Sequence, residues 1–172
     1  AVGGVDVDIT ERKRAEAELA EKEAQLRLAL DNMPGGMMLG DRDLNCVLFN
    51  SQYSQLLEFP DDLVRVGGSS RDELRYQADR GDFGPGDKDD LIEQAIARYR
   101  RDEAVSYERA IAGSGRTLQV NLGPTPEGGF VNIITDITER KRAEEALLAA
   151  KQQSEEASKL VAEKNRMLES LS

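Results

Sequence analysis

The sequence contains few residues whose types and spacing could perform chemistry. It has no histidine, so neither a Ser/His/Asp triad nor a Cys/His pair can form, and a two-component kinase has no histidine here to phosphorylate. The glycines fall at turns and form neither a P-loop nor a dinucleotide-binding fingerprint. The sequence therefore predicts that this chain has no catalytic residues of its own.

Cys46 and a carboxylate-rich loop are the remaining candidates for chemistry. Cys46 is the lone cysteine, and a single thiol without an internal disulfide is typical of a reducing cytoplasm, where a small buried side chain is its expected role. The run GDFGPGDKDD at residues 81–90 is acidic, but its spacing does not match an EF-hand loop. We therefore predict exposed helix capping there and no metal site.

The charge distribution excludes two classes of partner. The net charge is −10, and the only basic clusters, at residues 12–14 and 140–142, are diluted by glutamates, so no basic stripe for nucleic acid is expected. No uncharged stretch approaches the roughly 20 residues that span a bilayer, and we expect no membrane contact in this chain. One third of the residues are charged, which is typical of long solvated helices.

An internal repeat organises the elements around these residues. The nine residues DITERKRAE occur at 8–16 and again at 136–144, each time after a glycine pair and a β-like run. Each copy is therefore predicted to mark a change from strand to helix. Asp136 or Thr138 can cap the second helix by accepting bonds from its first free N–H groups. We predict that residues 1–10 are the last strand and DIT motif of a preceding module of the same kind.

Apolar residues recur at heptad spacing after each copy, a pattern that favours paired helices. The first connector helix is predicted over residues 11–33 and the second over residues 139–172. Their predicted dimer seam consists of Leu19, Leu26, Met33, Leu147, Ala150, Ala157, Val161, Leu168 and Leu171. Lys22, Ser154 and Lys164 interrupt this spacing, so the coiled coils are weak. A parallel homodimer is expected, with helices that pack on their own domain as the alternative.

Residues 34–138 carry a different pattern, in which short strands are separated by turn residues. Leu118, Val120 and Leu122 alternate with polar residues, as in a half-buried strand. Strands are predicted at 36–40, 44–49, 105–111, 117–122 and 130–135, and helices at 51–58 (with a cap at Ser51), 71–80 and 88–101. These elements predict an α+β domain with a five-stranded antiparallel sheet and helices on one face.

Three segments carry a family resemblance: LRLALDNMPGGMMLGDRDLNCVLFNSQYSQLLEFP, RGDFGPGD and GGFVNIITDITERKRAEEAL. With the order of elements, they resemble the PAS family, in particular the PAS-7 type of bacterial sensor proteins, over roughly residues 22–147. The closing DIT motif is the most specific of the three. The resemblance implies a PAS fold between signalling helices, which senses a small molecule or only dimerises and passes a change of helix geometry to an effector.

The resemblance also implies a pocket between the sheet and the helices. Its candidate lining is Met38, Leu48, Tyr53, Leu56, Leu91, Ile92, Tyr107, Leu118, Val120 and Ile133. The same apolar spacing equally describes a filled core, and the sequence names no ligand. Without histidine a His-ligated haem is not expected. NCVLFN around Cys46 lacks the NCRFLQ pattern of LOV-type flavin domains, so flavin photochemistry is not expected either.

The leading interpretation is a regulatory PAS module of bacterial signal transduction. In it, a shift of the sheet changes the register or rotation of the helix that leaves at Asp136, and Asp136, Ile137 and Thr138 carry the coupling. The helix pair is then a two-state element whose equilibrium is biased by differential binding. An output domain is expected after Ser172, preferably a nucleotide cyclase, with a histidine kinase second. A ligand-free dimerisation spacer is the alternative function.

Overall fold

The structure is a computed structural model that describes residues 2–171, with side chains from Asp8 onward. In chain order its elements are α1 (Val2–Asp31), β1 (Gly36–Gly40), β2 (Cys46–Phe49), α2 (Ser51–Leu56), α3 (Ser70–Arg80), α4 (Lys88–Tyr99), β3 (Val105–Ala110), β4 (Thr117–Pro124), β5 (Phe130–Asp136) and α5 (Thr138–Ser170). Between β1 and β5 every predicted strand and helix is present, and the ends differ from the predicted ones by at most two residues.

The five strands form one antiparallel sheet in the order β2-β1-β5-β4-β3. The edge at β2 is covered by the loop before α3, because Cys46 exchanges backbone hydrogen bonds with Gly67 (2.7 Å) and Gly68 (2.8 Å). At the opposite edge lies β3, which pairs with β4 over residues 105–110. The strand that precedes α5 therefore lies in the middle of the sheet, between β1 and β4.

One face of the sheet packs against α2, α3 and α4 to form the core. Leu118, Val120 and Leu122 are buried on that face, which confirms the alternation predicted for β4. The rings of Tyr99 in α4 and Phe130 in β5 meet edge-to-face, with centroids 4.5 Å apart. The predicted α+β architecture, a five-stranded antiparallel sheet with helices on one face, is confirmed.

Two predictions at the N-terminal end are wrong. Residues 2–10 were predicted to contain a strand, but they belong to α1. A strand needs a hydrogen-bonded neighbour, and the described part of the chain offers none to this segment, whereas a helix pairs its own backbone groups. Met33 was predicted to continue the helical seam, but it lies in the turn after Asp31. Pro34 explains this, because proline disfavours a helical conformation in the residue before it.

The starts of α2 and α4 follow capping chemistry, with one correction. The cap of α2 is Asn50 and not Ser51: Asn50 is extended (φ −102°, ψ 165°), and its side chain accepts from the Tyr53 N–H. Asp87 caps α4 by accepting from the Asp90 N–H at 3.0 Å, as predicted for this acidic loop. Asp82 does not cap a helix; its buried carboxylate pairs with Arg80 at 2.6 Å.

The two long helices extend away from the core. Every residue of α5 from Arg142 onward is exposed, and so is every described side chain of α1 before Leu30. At a rise of about 1.5 Å per residue, α5 is roughly 50 Å long. No helix in residues 2–171 is both long enough and apolar enough to cross a membrane.

Candidate functional site

The junction between β5 and α5 is the first candidate site, because it fixes the start of the long helix to the sheet. The Ile137 side chain is buried, and its N–H donates to the Thr117 carbonyl at 2.9 Å. In return the Thr117 N–H donates to Oγ1 of Thr138 at 2.9 Å. The first turn of α5 is therefore hydrogen-bonded to the first residue of β4.

Asp136 occupies the centre of this junction. Its Oδ1 accepts from the Thr138 N–H at 2.9 Å, and its Oδ2 lies 3.3 Å from Nε of Arg116. Burial acts to raise the pKa of Asp136, but the hydrogen bonds from Thr138 and the Arg116 charge outweigh it, so the pKa lies below its usual value. Neither predicted cap occupies the N-cap position, which is Ile137 and has no side-chain cap bond. Asp136, one residue earlier, still accepts from the Thr138 N–H, and the Thr138 hydroxyl bonds to Asp136 and to the Thr117 carbonyl of β4.

Arg116 extends the junction to a second helix, and the sequence reasoning missed it. Its Nη1 donates to the carbonyls of Gln55 (3.0 Å) and Leu56 (3.1 Å) at the end of α2. The same guanidinium pairs with Asp136, so one side chain joins the end of α2 to the start of α5. Its only sequence signal is a cation directly before the strand that pairs with the DIT segment.

A surface ion pair adds a third attachment. Nζ of Lys141, in the first turn of α5, lies 2.7 Å from Oε2 of Glu108 in β3. The hydrogen bond to Glu108 raises the pKa of Lys141. The start of α5 is thus attached to α2, β3 and β4.

The predicted pocket residues divide into two groups. Five of them are fully buried in one continuous apolar cluster, and Leu56 and Tyr107 are half-buried against that cluster. Leu48 and Leu91 are also half-buried, and Leu91 and Tyr107 line a groove between α4 and β3. The five buried ones are Met38, Tyr53, Ile92, Leu118 and Val120.

Ile133 and Leu48 are the pocket predictions that the structure contradicts. Leu48 pairs with Leu39 of β1, which lies on the face opposite to buried Met38, so Leu48 also points away from the helices. In β5, Phe130, Asn132 and Ile134 are buried towards the helices. Because side chains alternate along a strand, Ile133 lies on the other face of the sheet, at the level of Met37 of β1. The prediction of Ile133 was wrong by one residue because two isoleucines are adjacent, and apolar type alone does not tell which of them faces inward.

A buried polar cluster lies between α3 and the sheet. The Tyr53 hydroxyl donates to Oε2 of Glu73 at 3.1 Å and accepts from Nδ2 of Asn132 at 3.4 Å. Burial raises the pKa of Glu73 from 4.5 to about 8, with a contribution from Asp72, against the opposing effect of the Tyr53 hydrogen bond. The carboxyl is therefore mostly protonated at neutral pH. Sequence reasoning missed Glu73, because a glutamate on a charged helix is normally exposed.

Cys46 behaves as the sequence predicted. It is buried in the core, and burial, together with the nearby Glu73 carboxyl, raises the pKa of its thiol to about 11. At neutral pH the thiol is therefore protonated and poorly nucleophilic.

The strand order, the three helices on one face and a long helix bonded directly to the last strand define a PAS-type domain. The family model described as PAS fold matches residues 30–145, more than half of the chain. The chain therefore belongs to the PAS-7 type of the PAS family, as the resemblance predicted. It is a PAS domain of the kind found in sensor and signalling proteins.

The sequence identity to individual relatives is low. The chain is 27% identical over 145 residues to the non-motile and phage-resistance protein of Caulobacter vibrioides, an alignment that includes 83% of this chain but only 15% of that protein's length. The PAS domain of an HTR-like protein from Haloarcula marismortui is 23% identical, with a TM-score of 0.49 over 73% of this chain and 99% of that chain. For the PAS domain of Bordetella pertussis BvgS the identity is 18% and the TM-score 0.47, over 77% and 98% of the two chains.

Proposed function

We propose that this chain is the regulatory PAS module of a cytoplasmic, multidomain signalling protein. The PAS domain occupies residues 34–138 between two signalling helices. The chain dimerises through those helices and transmits a signal through α5 to an output domain after Ser172. A nucleotide cyclase is the preferred output, and a histidine kinase is the second choice.

The junction at Asp136 is the observation that carries this proposal. Asp136, Ile137 and Thr138 connect the central strand of the sheet to α5, and Arg116 extends the connection to α2. Because Asp136 is partly exposed, its bond to the Thr138 N–H and its ion pair with Arg116 contribute about 1 kcal/mol each at most, and together they hold the first turn of α5 to the domain. A change in the sheet or in α2 therefore biases the position of α5.

Replacing Asp136 with alanine is expected to release the start of α5 while the core stays folded. Losing a charged partner of Arg116 and Thr138 should raise amide hydrogen exchange in residues 138–142 by about threefold to tenfold, since 1.4 kcal/mol corresponds to a factor of ten. Hydrogen exchange by mass spectrometry on this chain measures that release. In the full-length protein, output activity should remain but lose its regulation.

Glu139→Ala is the matched control for Asp136→Ala. Glu139 is also a carboxylate at the start of α5, but no ion pair joins it to Arg116 in the described chain, so its removal should leave exchange nearly unchanged. Equal exchange in both variants, or intact regulation of the full-length protein in Asp136→Ala, would refute the proposed coupling role.

The exposed apolar side chains of the long helices support the dimer part of the proposal. On α5, Leu147, Val161 and Leu168 remain 72%, 59% and 56% exposed and pack against nothing in the described chain. A helix with no buried residues gains no tertiary stabilisation, and most helices in proteins depend on it. A second copy of the chain, aligned in parallel, would cover these side chains.

The seam can be tested by charge substitution on two faces of the same helix. Val161→Glu with Leu168→Glu should convert a dimer into a monomer, because each charge would have to be buried against its copy. Leu160→Glu with Met167→Glu is the matched control, since those side chains are equally exposed (66% and 68%) but lie off the predicted seam. Sedimentation velocity distinguishes the species. If both pairs behave alike, the predicted seam is incorrect.

A ligand-free dimerisation spacer is the second candidate function. The observation that favours it is the close packing of Met38, Leu118 and Val120 in one apolar cluster. Native mass spectrometry of the purified chain distinguishes the two functions, because a ligand that the sensor retains adds its mass to that of the dimer. A dimer without added mass that also binds no small molecule supports the spacer.

A further inference from the structure

A groove of about 630 Å³ runs along the open edge of the sheet, between α4 and β3. This volume is within the range of about 300–1,000 Å³ that small-molecule sites occupy. Leu91 and Arg98 lie on one face of α4 and form one wall, together with Arg101 just beyond the helix, and β3 with Arg109 forms the other. The groove is separate from the junction at Asp136.

Aromatic rings hold two of these arginines in place. The guanidinium of Arg109 lies 4.6 Å from the ring centroid of Phe83 and 5.3 Å from that of Tyr107, and Arg98 lies 5.0 Å above the same Tyr107 ring. Arg109 also donates to the buried Gln77 side chain and to the Tyr107 hydroxyl at 3.3 Å. Stacking fixes the plane of a guanidinium while leaving N–H groups free to bind an anion.

The positive charges of the groove have no acidic partner. In the described residues, no ion pair joins Arg98, Arg101 or Arg109 to a carboxylate. The two carboxylates along the groove are already neutralised, because Asp82 pairs with Arg80 and Glu108 with Lys141. In a chain with a net charge of −10, three unpaired arginines around one concave surface concentrate positive potential there.

We infer that this groove binds a small organic anion that carries a carboxylate or phosphate group. The anionic group lies against Arg98 and Arg101, since a guanidinium fork matches the oxygens of either group, and the apolar part of the ligand contacts Phe83 and Leu91. This inference deepens the proposed sensory function and rests on it, because it names the class of ligand.

The groove also has a direct connection to α5. Tyr107 faces the groove, and the next residue of β3, Glu108, pairs with Lys141 in the first turn of α5. A ligand that contacts Phe83 displaces Arg109, whose guanidinium stacks on that ring, and so moves β3, which carries Glu108 with it. Binding is therefore transmitted to α5 through a single strand.

The test is isothermal titration calorimetry of this chain with four probes: succinate, citrate, benzoate and inorganic phosphate, at matched ionic strength with chloride as the reference. At least one probe is expected to bind at one per chain with a Kd below about 1 mM. Arg98→Gln with Arg101→Gln should weaken that binding at least tenfold, since two charge-assisted contacts are lost. Binding of the first three probes identifies a carboxylate site, and binding of phosphate alone a phosphate site.

Arg100→Gln is the matched control, because Arg100 is adjacent to Arg101 but lies outside the groove, and it should change the Kd by less than about twofold. The inference is overturned if no probe binds more tightly than chloride, or if the double variant binds as well as the unmodified chain. Binding is measured without any output domain. A failure of the groove to bind an anion is therefore distinguishable from a failure of coupling through Asp136.

Discussion

Replacing Asn50 with alanine is expected to lower the free energy of unfolding by about 4 kcal/mol. The Asn50 side chain is 0% exposed and makes four hydrogen bonds to backbone groups. Its Nδ2 donates to the carbonyls of Leu30 (2.8 Å) and Gly35 (2.9 Å), and its Oδ1 accepts from the N–H groups of Met37 (2.9 Å) and Tyr53 (3.1 Å). Alanine leaves the Gly35 carbonyl and the Met37 N–H without these partners inside the protein, at a cost of about 1–3 kcal/mol each before relaxation. The Tyr53 N–H and the Leu30 carbonyl each keep a backbone hydrogen bond, to the carbonyl of residue 50 and from the Met33 N–H.

Urea unfolding at neutral pH measures this loss, and Asn45→Ala is the matched control. Asn45 is only half-buried, and its amide makes one long bond, 3.4 Å from Oδ2 of Asp41, so its loss should cost less than about 1 kcal/mol. Because Asn50 also holds the Leu30 carbonyl, the end of α1 should exchange its amide hydrogens faster in Asn50→Ala. A similar stability for the two variants would contradict the expected role of Asn50.

The sheet and its helices could be predicted because each follows from local patterns. Strand β4 shows the alternation of Leu118, Val120 and Leu122 in its own residues, and α4 begins where Asp87 can cap it. Patterns of this kind depend on periods of two or about 3.6 residues and on capping chemistry, all of which are visible in one stretch of chain. The repeated DIT motif marked the start of α5 for the same reason.

The connections between elements could not be predicted in this way. Arg116 meets the end of α2, whose carbonyls are 60 residues away or more in sequence, and Glu73 meets Tyr53 only after α3 has packed over the sheet. Such contacts depend on tertiary register, which hydrophobic periodicity does not encode. The error at Ile133 has the same cause, because the face that an apolar residue takes is decided by pairing with neighbouring strands.

The buried carboxyl of Glu73 should make the stability of this domain depend on pH. The pKa of Glu73 is raised from 4.5 to about 8 in the folded chain, mainly because the group is buried. Between these values the folded state binds a proton that the unfolded state has lost, so stability is highest below about pH 4.5 and falls as the pH rises towards 8. At 1.36 kcal/mol per pKa unit, the loss between pH 5 and pH 8.5 is about 4 kcal/mol.

Glu73→Gln removes this titration while keeping an oxygen to accept from Tyr53. Between pH 5 and pH 8.5 the free energy of unfolding of the unmodified chain should fall by about 4 kcal/mol, whereas that of the variant should not show this fall. Urea unfolding at each pH measures both. Asp79→Asn is the control, because Asp79 lies on the same helix but is exposed and paired with Lys88 at 3.1 Å. Over that pH range its free energy of unfolding should differ from that of the unmodified chain by less than about 0.5 kcal/mol. A parallel pH dependence for Glu73→Gln and the unmodified chain would mean that the folded domain ionises Glu73 freely, and the buried polar cluster would then have to admit water.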